Sequence, residues 1–73
     1  MSDYHINIFH SEEDAGWNAD IPDLPGCSAF GESPERALHE VLIANRLWID
    51  SAKADGVEIP KPKFRPAIYQ VAS

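Results

Sequence analysis

The chain has 73 residues, 44% of them hydrophobic, one cysteine and a net charge of −6. That length makes a single domain, residues 1–73, whose core supplies no more than roughly 3–5 kcal/mol by itself. The lone Cys27 excludes an internal disulfide as a supplement, so self-association into a homodimer or higher oligomer is expected.

The N-terminus lacks the basic-then-apolar pattern of a secretory signal. No apolar run approaches the ~20 residues of a membrane span, so no membrane partner and a cytoplasmic location are expected. Charge is unevenly spread: residues 1–35 hold eight acidic side chains and no lysine or arginine, and all six basic residues lie from Arg36 onward. An acidic surface repels nucleic-acid phosphates and attracts basic proteins.

In chain order, Tyr4 to His10 alternates apolar and polar residues and predicts a strand. The polar run Ser11 to Gly16 predicts a hairpin loop. Trp17 to Ile21 alternates again and predicts an antiparallel partner strand, stopped by Pro22, which has no ladder donor. Pro22 to Gly26 predicts a rigid corner: each proline sets its own φ, Gly26 accepts positive φ, and Leu24 plugs the core beneath. Cys27 to Gly31 predicts a third strand.

Ser33 is a suitable N-cap, with Pro34 at the first helical position and Glu35 near the positive end of the dipole. The helix is predicted from Pro34 to about Ala54, with Gly56 as its stop. Leu38, Val41, Leu42, Asn45, Trp48, Ile49 and Ala52 form the apolar stripe expected to cover the sheet. Val57 to Lys63 carries alternate prolines and predicts an extended segment. Ala67 to Val71 predicts a terminal strand, pairing either at an edge of its own sheet or with another subunit. The expected fold class is α+β: a three-stranded antiparallel sheet, one long helix on one face, and a short terminal strand (β-β-β-α-β).

No catalytic constellation stands out. Asp20 and Asp23 flank a turn and Glu32 follows the third strand, but two-metal nuclease chemistry needs several converging carboxylates. The centre of the first strand, where such an acid is wanted, holds Ile6, Asn7 and Ile8. Asp23 is instead expected to accept backbone hydrogen bonds within its turn. His5, His10 and His39 have no metal-ligand spacing, Cys27 reads as a small buried hydrophobe, and no metal or other cofactor is expected. Lys61 to Arg65 mixes cations with Phe64 and reads as an exposed linker rather than a nucleic-acid contact. Trp17 suits either the core or an interface, and Trp48 is expected in the core.

One ordered set of residues is more specific. Gly16, Ala19, the run Pro22-Asp23-Leu24-Pro25-Gly26-Cys27, then Gly31, Ser33, Glu35, Ala37-Leu38, and finally Gly56, Ile59, Pro60 and Pro62 resembles the pattern of the HicB-like antitoxin family over residues 4–62. The resemblance implies a partly degraded ribonuclease-H-like fold without nuclease activity. It also implies a partner, a small basic HicA-type toxin that cleaves mRNA and whose active site the antitoxin occludes. Typical members add a C-terminal DNA-binding domain. The chain to Ser73 has no room for one, so direct DNA binding is not expected.

On this reading the acidic hairpin residues Glu12, Glu13 and Asp14 and the corner residues Asp20 and Asp23 face the toxin, and Trp17 anchors it. The competing expectation is a stand-alone oligomeric domain with a structural or small-ligand role and no toxin.

Overall fold

The computed structural model describes residues 4–63 and 68–71. Strand β1 (Ile6–Ser11) pairs antiparallel with β2 (Gly16–Asp20), which pairs antiparallel with β3 (Ser28–Gly31). Helix α1 (Pro34–Ala54) follows, and β4 (Ile68–Val71) returns to lie parallel to β1. The sheet order is β3-β2-β1-β4. The terminal strand therefore pairs within its own sheet, through Ile6–Ile68 to Phe9–Val71.

The period-two pattern assigns the faces. Ile8, Ala19 and Ala29 lie side by side across three strands and face the helix. Ile6, Ile8, Ala19, Ile21, Leu24 and Cys27 pack against Ala37 and Val41 of α1 to form the core. Leu24 is buried, as a plug beneath the corner should be, and Cys27 is buried beside it.

The corner itself is a set of tight turns. Leu24 N–H donates to the Ile21 carbonyl, Cys27 N–H to Leu24, and Ile21 N–H to Cys27, each at 3.0 Å. Gly26 takes φ +77°, the left-handed conformation that glycine adopts without penalty.

Helix α1 starts and stops where the capping signals place it. Ser33 Oγ accepts the Arg36 backbone N–H at 3.1 Å, Pro34 opens the first turn, and Gly56 at φ +70° ends the run. Its buried residues are Ala37, Val41 and Ala52, with Leu38, Ala44, Trp48 and Ile49 partly buried against the core. Leu42, expected on the inward stripe, is exposed instead. The stripe starts one residue earlier, at Ala37, because Gly31 lets the first turn of α1 sit directly on β3: a Cβ at Gly31 would lie 2.8 Å from Ala37 Cα.

Two further ties fasten the segment after the helix. Tyr4 Oη donates to the Pro60 carbonyl, and the Lys63 N–H donates to Asp23 Oδ2 at 3.1 Å. Asp23 therefore reaches beyond its own turn, to a segment forty residues away in sequence.

Candidate partner-binding site

Strand direction decides which charged residues meet. At one end of the sheet β1 finishes at Ser11, β2 begins at Gly16, β3 finishes at Gly31 and α1 begins at Pro34. The connections at this end carry Glu12, Glu13 and Asp14 in the hairpin, with Glu32 before the helix and Glu35 in its first turn. All five carboxylates are exposed. Arg36, the neighbouring cation, is already opposed by Glu40 one turn on, at 3.4 Å. The acidic end keeps its negative field.

The hairpin is short and internally tied. Ala15 N–H donates to the Glu12 carbonyl at 3.3 Å, and Ser11 Oγ donates to Asp14 Oδ2 at 3.2 Å. The left-handed residue of the loop is Ala15, at φ 52°, and not the neighbouring glycine. Gly16 has another use. A Cβ there would lie 2.7 Å from Phe30 Cε1, so the missing side chain is what allows the Phe30 ring to lie across β2.

Trp17 sits at the acidic end on the helix side of the sheet, half-buried against the core. Its ring meets His10, its cross-strand partner, edge to face with centroids 5.1 Å apart. It thus serves the core with one side and remains partly open at the other. Asp20, three residues on, points to the opposite face of the sheet. It is half-buried, and its Oδ1 is buried with no hydrogen-bond partner among the described residues. Asp23 is buried in the corner beneath the Lys63 backbone.

The residues expected to face a partner are therefore divided. Glu12, Glu13, Asp14 and Trp17 share the hairpin end, while Asp20 and Asp23 lie at the other end of β2. Glu32 and Glu35 were not among the expected contacts, although the antiparallel path of β3 returns any residue after it to the hairpin end. Strand direction alone would have found them.

The opposite end carries an apolar groove of about 460 Å³ between the corner and the C-terminal half of α1. Cys27, Leu47, Trp48 and Val57 line it, with Asp55 at its rim. Trp48 is not fully in the core: its indole N–H donates to the Pro25 carbonyl at 3.0 Å and its ring forms one wall. Burial pushes the Cys27 thiol above its ordinary value of 9.0, and the Asp20 carboxylate pushes it in the same direction. A thiol so placed is a poor nucleophile at neutral pH. Among the described residues no group of three or more His, Cys, Asp or Glu side chains is arranged to hold a metal ion. No helix in them is long and apolar enough to cross a membrane.

This small sheet-and-helix domain with an acidic hairpin end matches a family model over residues 4–70, that of the HicB-like antitoxin of bacterial toxin–antitoxin systems. The chain belongs to the HicB-like antitoxin family. It is 39% identical over 57 residues to the UPF0150 protein ssl0259 of Synechocystis sp., covering 78% of this chain and 77% of that one. It is also 33% identical over 54 residues to the UPF0150 protein Ta0767 of Thermoplasma acidophilum, covering 74% of this chain and 78% of the relative. No solved structure matches significantly. Family membership supports an antitoxin of a toxin–antitoxin system and implies a toxin as its partner.

Proposed function

We propose that the chain neutralises a small basic HicA-type toxin by binding it at the hairpin end of the sheet. The observation that carries this reading is the gathering of Glu12, Glu13, Asp14, Glu32 and Glu35 around one end, beside the half-open ring of Trp17. Exposed carboxylates steer a cationic partner and raise its association rate. A partly exposed aromatic next to them supplies the desolvated anchor that holds it. Asp20 adds to the field from the far end of β2, and Asp23 acts by fixing the corner.

On this reading the protein is a cytoplasmic, non-enzymatic binding module. The β3-β2-β1-β4 order is read as a reduced ribonuclease-H-like sheet that has kept the scaffold without the chemistry: its first strand holds Ile6, Asn7 and Ile8 where an inward acid would be wanted. The stand-alone reading, with a small ligand and no toxin, draws its support from the apolar groove at the opposite end.

The test is association kinetics between this protein and a purified HicA-type toxin at about 50 mM and about 500 mM salt, concentrations that span weak to strong screening. The wild-type association rate should fall by roughly tenfold or more across that range. The triple variant Glu12→Gln, Glu13→Gln, Asp14→Asn should start low and change little. A tight complex with salt-independent association would remove the acidic end as the contact surface. Absence of any complex, together with an apolar ligand retained in the groove, would favour the stand-alone reading.

A further inference from the structure

The sheet order leaves β3 at an edge: among the described residues it has β2 on one side and no strand on the other. Helix α1 lies over this same strand, with the backbone of Ala37 against Gly31. Arg36, Glu40, Leu47 and Ser51 recur at helical spacing and form one flank of α1. That flank and the open edge of β3 border a seam. At the hairpin end of the seam lies a hollow of about 820 Å³, lined by Gly31, Glu32, Arg36 and Glu40. At the corner end lies the apolar groove, where Leu47 and Trp48 line the same space as Cys27. Glu40 borders the first hollow and Ala44, one turn on, borders the second, so the two follow each other along the strand. Leu47 is 63% exposed, so the chain leaves this apolar wall largely uncovered.

We infer that this seam takes an extended segment of another protein, added to β3 as a further strand. An edge strand presents backbone N–H and C=O groups at the spacing an extended chain satisfies. The helix flank above it supplies what a bare edge lacks, a means of choosing side chains. Along this stretch the positions on the helix side alternate as Cys27, Ala29 and Gly31. An added strand sets its own helix-side residues beside these. The residue beside Cys27 enters the apolar groove, and the one beside Gly31, four positions along, meets Glu32 and Glu40. Arg36 already opposes Glu40, which leaves the exposed Glu32 for a new cation. The occupant is therefore a segment with a large apolar residue and, four positions away, a lysine or arginine.

A second copy of this chain fits the seam badly. Two β3 strands paired antiparallel about a two-fold axis would bring Glu32 of one copy toward the Asp55 rim of the other, acid against acid. The strand itself, Ser28-Ala29-Phe30-Gly31, carries no cation, and its helix-side residues Ala29 and Gly31 are too small to fill either hollow. A foreign segment with an apolar anchor and a cation satisfies both ends. Its recognition needs no toxin, so the inference stands apart from the proposed function.

The test is a titration of the full isotope-labelled chain, followed by backbone amide NMR, with a threonine-rich peptide of about eight residues that carries leucine and arginine four positions apart. The amides of β3 should shift, with saturation below about 1 mM. Leu47→Glu, at an exposed position, should weaken binding roughly tenfold. Glu32→Lys should weaken it roughly fivefold, and exchanging the peptide's arginine for glutamate should restore binding to that variant alone. Leu42→Glu, on the opposite flank of α1, should bind as the wild type does. Of two peptides N-methylated on alternate sets of amides, one should bind and the other should not, because only one set faces β3. Absence of β3 shifts up to about 1 mM overturns the inference. So does binding that survives both Leu47→Glu and Glu32→Lys, or that tolerates N-methylation of either set. Shifts along β3 that grow with protein concentration in the absence of peptide would put a second copy in the seam and overturn it as well.

Discussion

The carboxylate of Asp23 accepts the backbone N–H of Lys63 at 3.1 Å, so a buried side chain of the corner holds the extended segment that follows the helix. Asp23, within the stretch that resembles the family pattern, thus has a structural role. Replacing Asp23 with Ala should cost about 1–3 kcal/mol in chemical denaturation, the range for losing a charged buried acceptor. Amide exchange at Lys63 should accelerate. Asp23→Asn keeps a carbonyl acceptor and should lose less. If both variants are as stable as the wild type, the tie contributes nothing to folding.

Gly31 brings the sheet into close approach with the helix backbone at Ala37. A Cβ on Gly31 would fall within 2.8 Å of backbone atoms that cannot rotate aside. Gly31→Ala should destabilise by about 1–3 kcal/mol, the usual cost of forcing atoms into a packed interior. Gly26→Ala meets open space but must hold φ +77°, so about 1–2 kcal/mol of backbone strain is expected there for a different reason. Crystal structures of the two variants separate the cases: the first should show a displaced helix N-terminus, the second an unmoved core.

Ala15 holds a left-handed backbone at φ 52° in an exposed loop. Ala15→Gly should relieve strain of roughly 1 kcal/mol, offset in part by the extra freedom of glycine in the unfolded chain. A small rise in melting temperature is expected. Gly16→Ala, one residue along, should do the opposite by dislodging Phe30. If both substitutions shift the melt the same way, the division of labour between these neighbours is wrong.

The Cys27 thiol is raised by burial and then by Asp20. Its folded value therefore lies above its unfolded one, and the folded state keeps the proton longer. As pH climbs past the ordinary thiol value of 9.0, the unfolded chain ionises first and binds fewer protons, so stability falls with rising pH. Below that value the thiol contributes no pH dependence. Denaturation at pH 7 and about pH 10 should show the loss, and Cys27→Ala should reduce its slope. Reaction with a disulfide reagent at pH 7 should be slow and should track unfolding.

Local signals carried most of this fold. Ser33, Pro34 and Gly56 mark the helix ends because capping is decided within a few residues, and alternation marked β1 and β2 for the same reason. The spacing places Leu42 inward, yet it is exposed, because the roll of the helix is set by contact at Gly31, which periodicity does not register. The partner of β4 was open between its own sheet and another subunit, since no local pattern encodes a parallel pairing with β1. At the site, Glu12, Glu13 and Asp14 were legible as a charge run. Glu32 and Glu35 join them only through strand direction. Asp23 looked like a turn residue, and its bond to Lys63 is a tertiary choice.

The parallel pairing of β4 with β1 has a consequence for how the protein is made. Ile6 leaves the ribosome first, and its neighbour Ile68 follows only after β2, β3 and α1. Until then β1 has a bare edge beside a half-finished sheet, and the contact that fills it is long in sequence separation. Pairings of that kind form late and slowly. Folding should therefore finish only after synthesis of the domain does, and a nascent chain stalled after the helix would present that edge to whatever strand lies nearby.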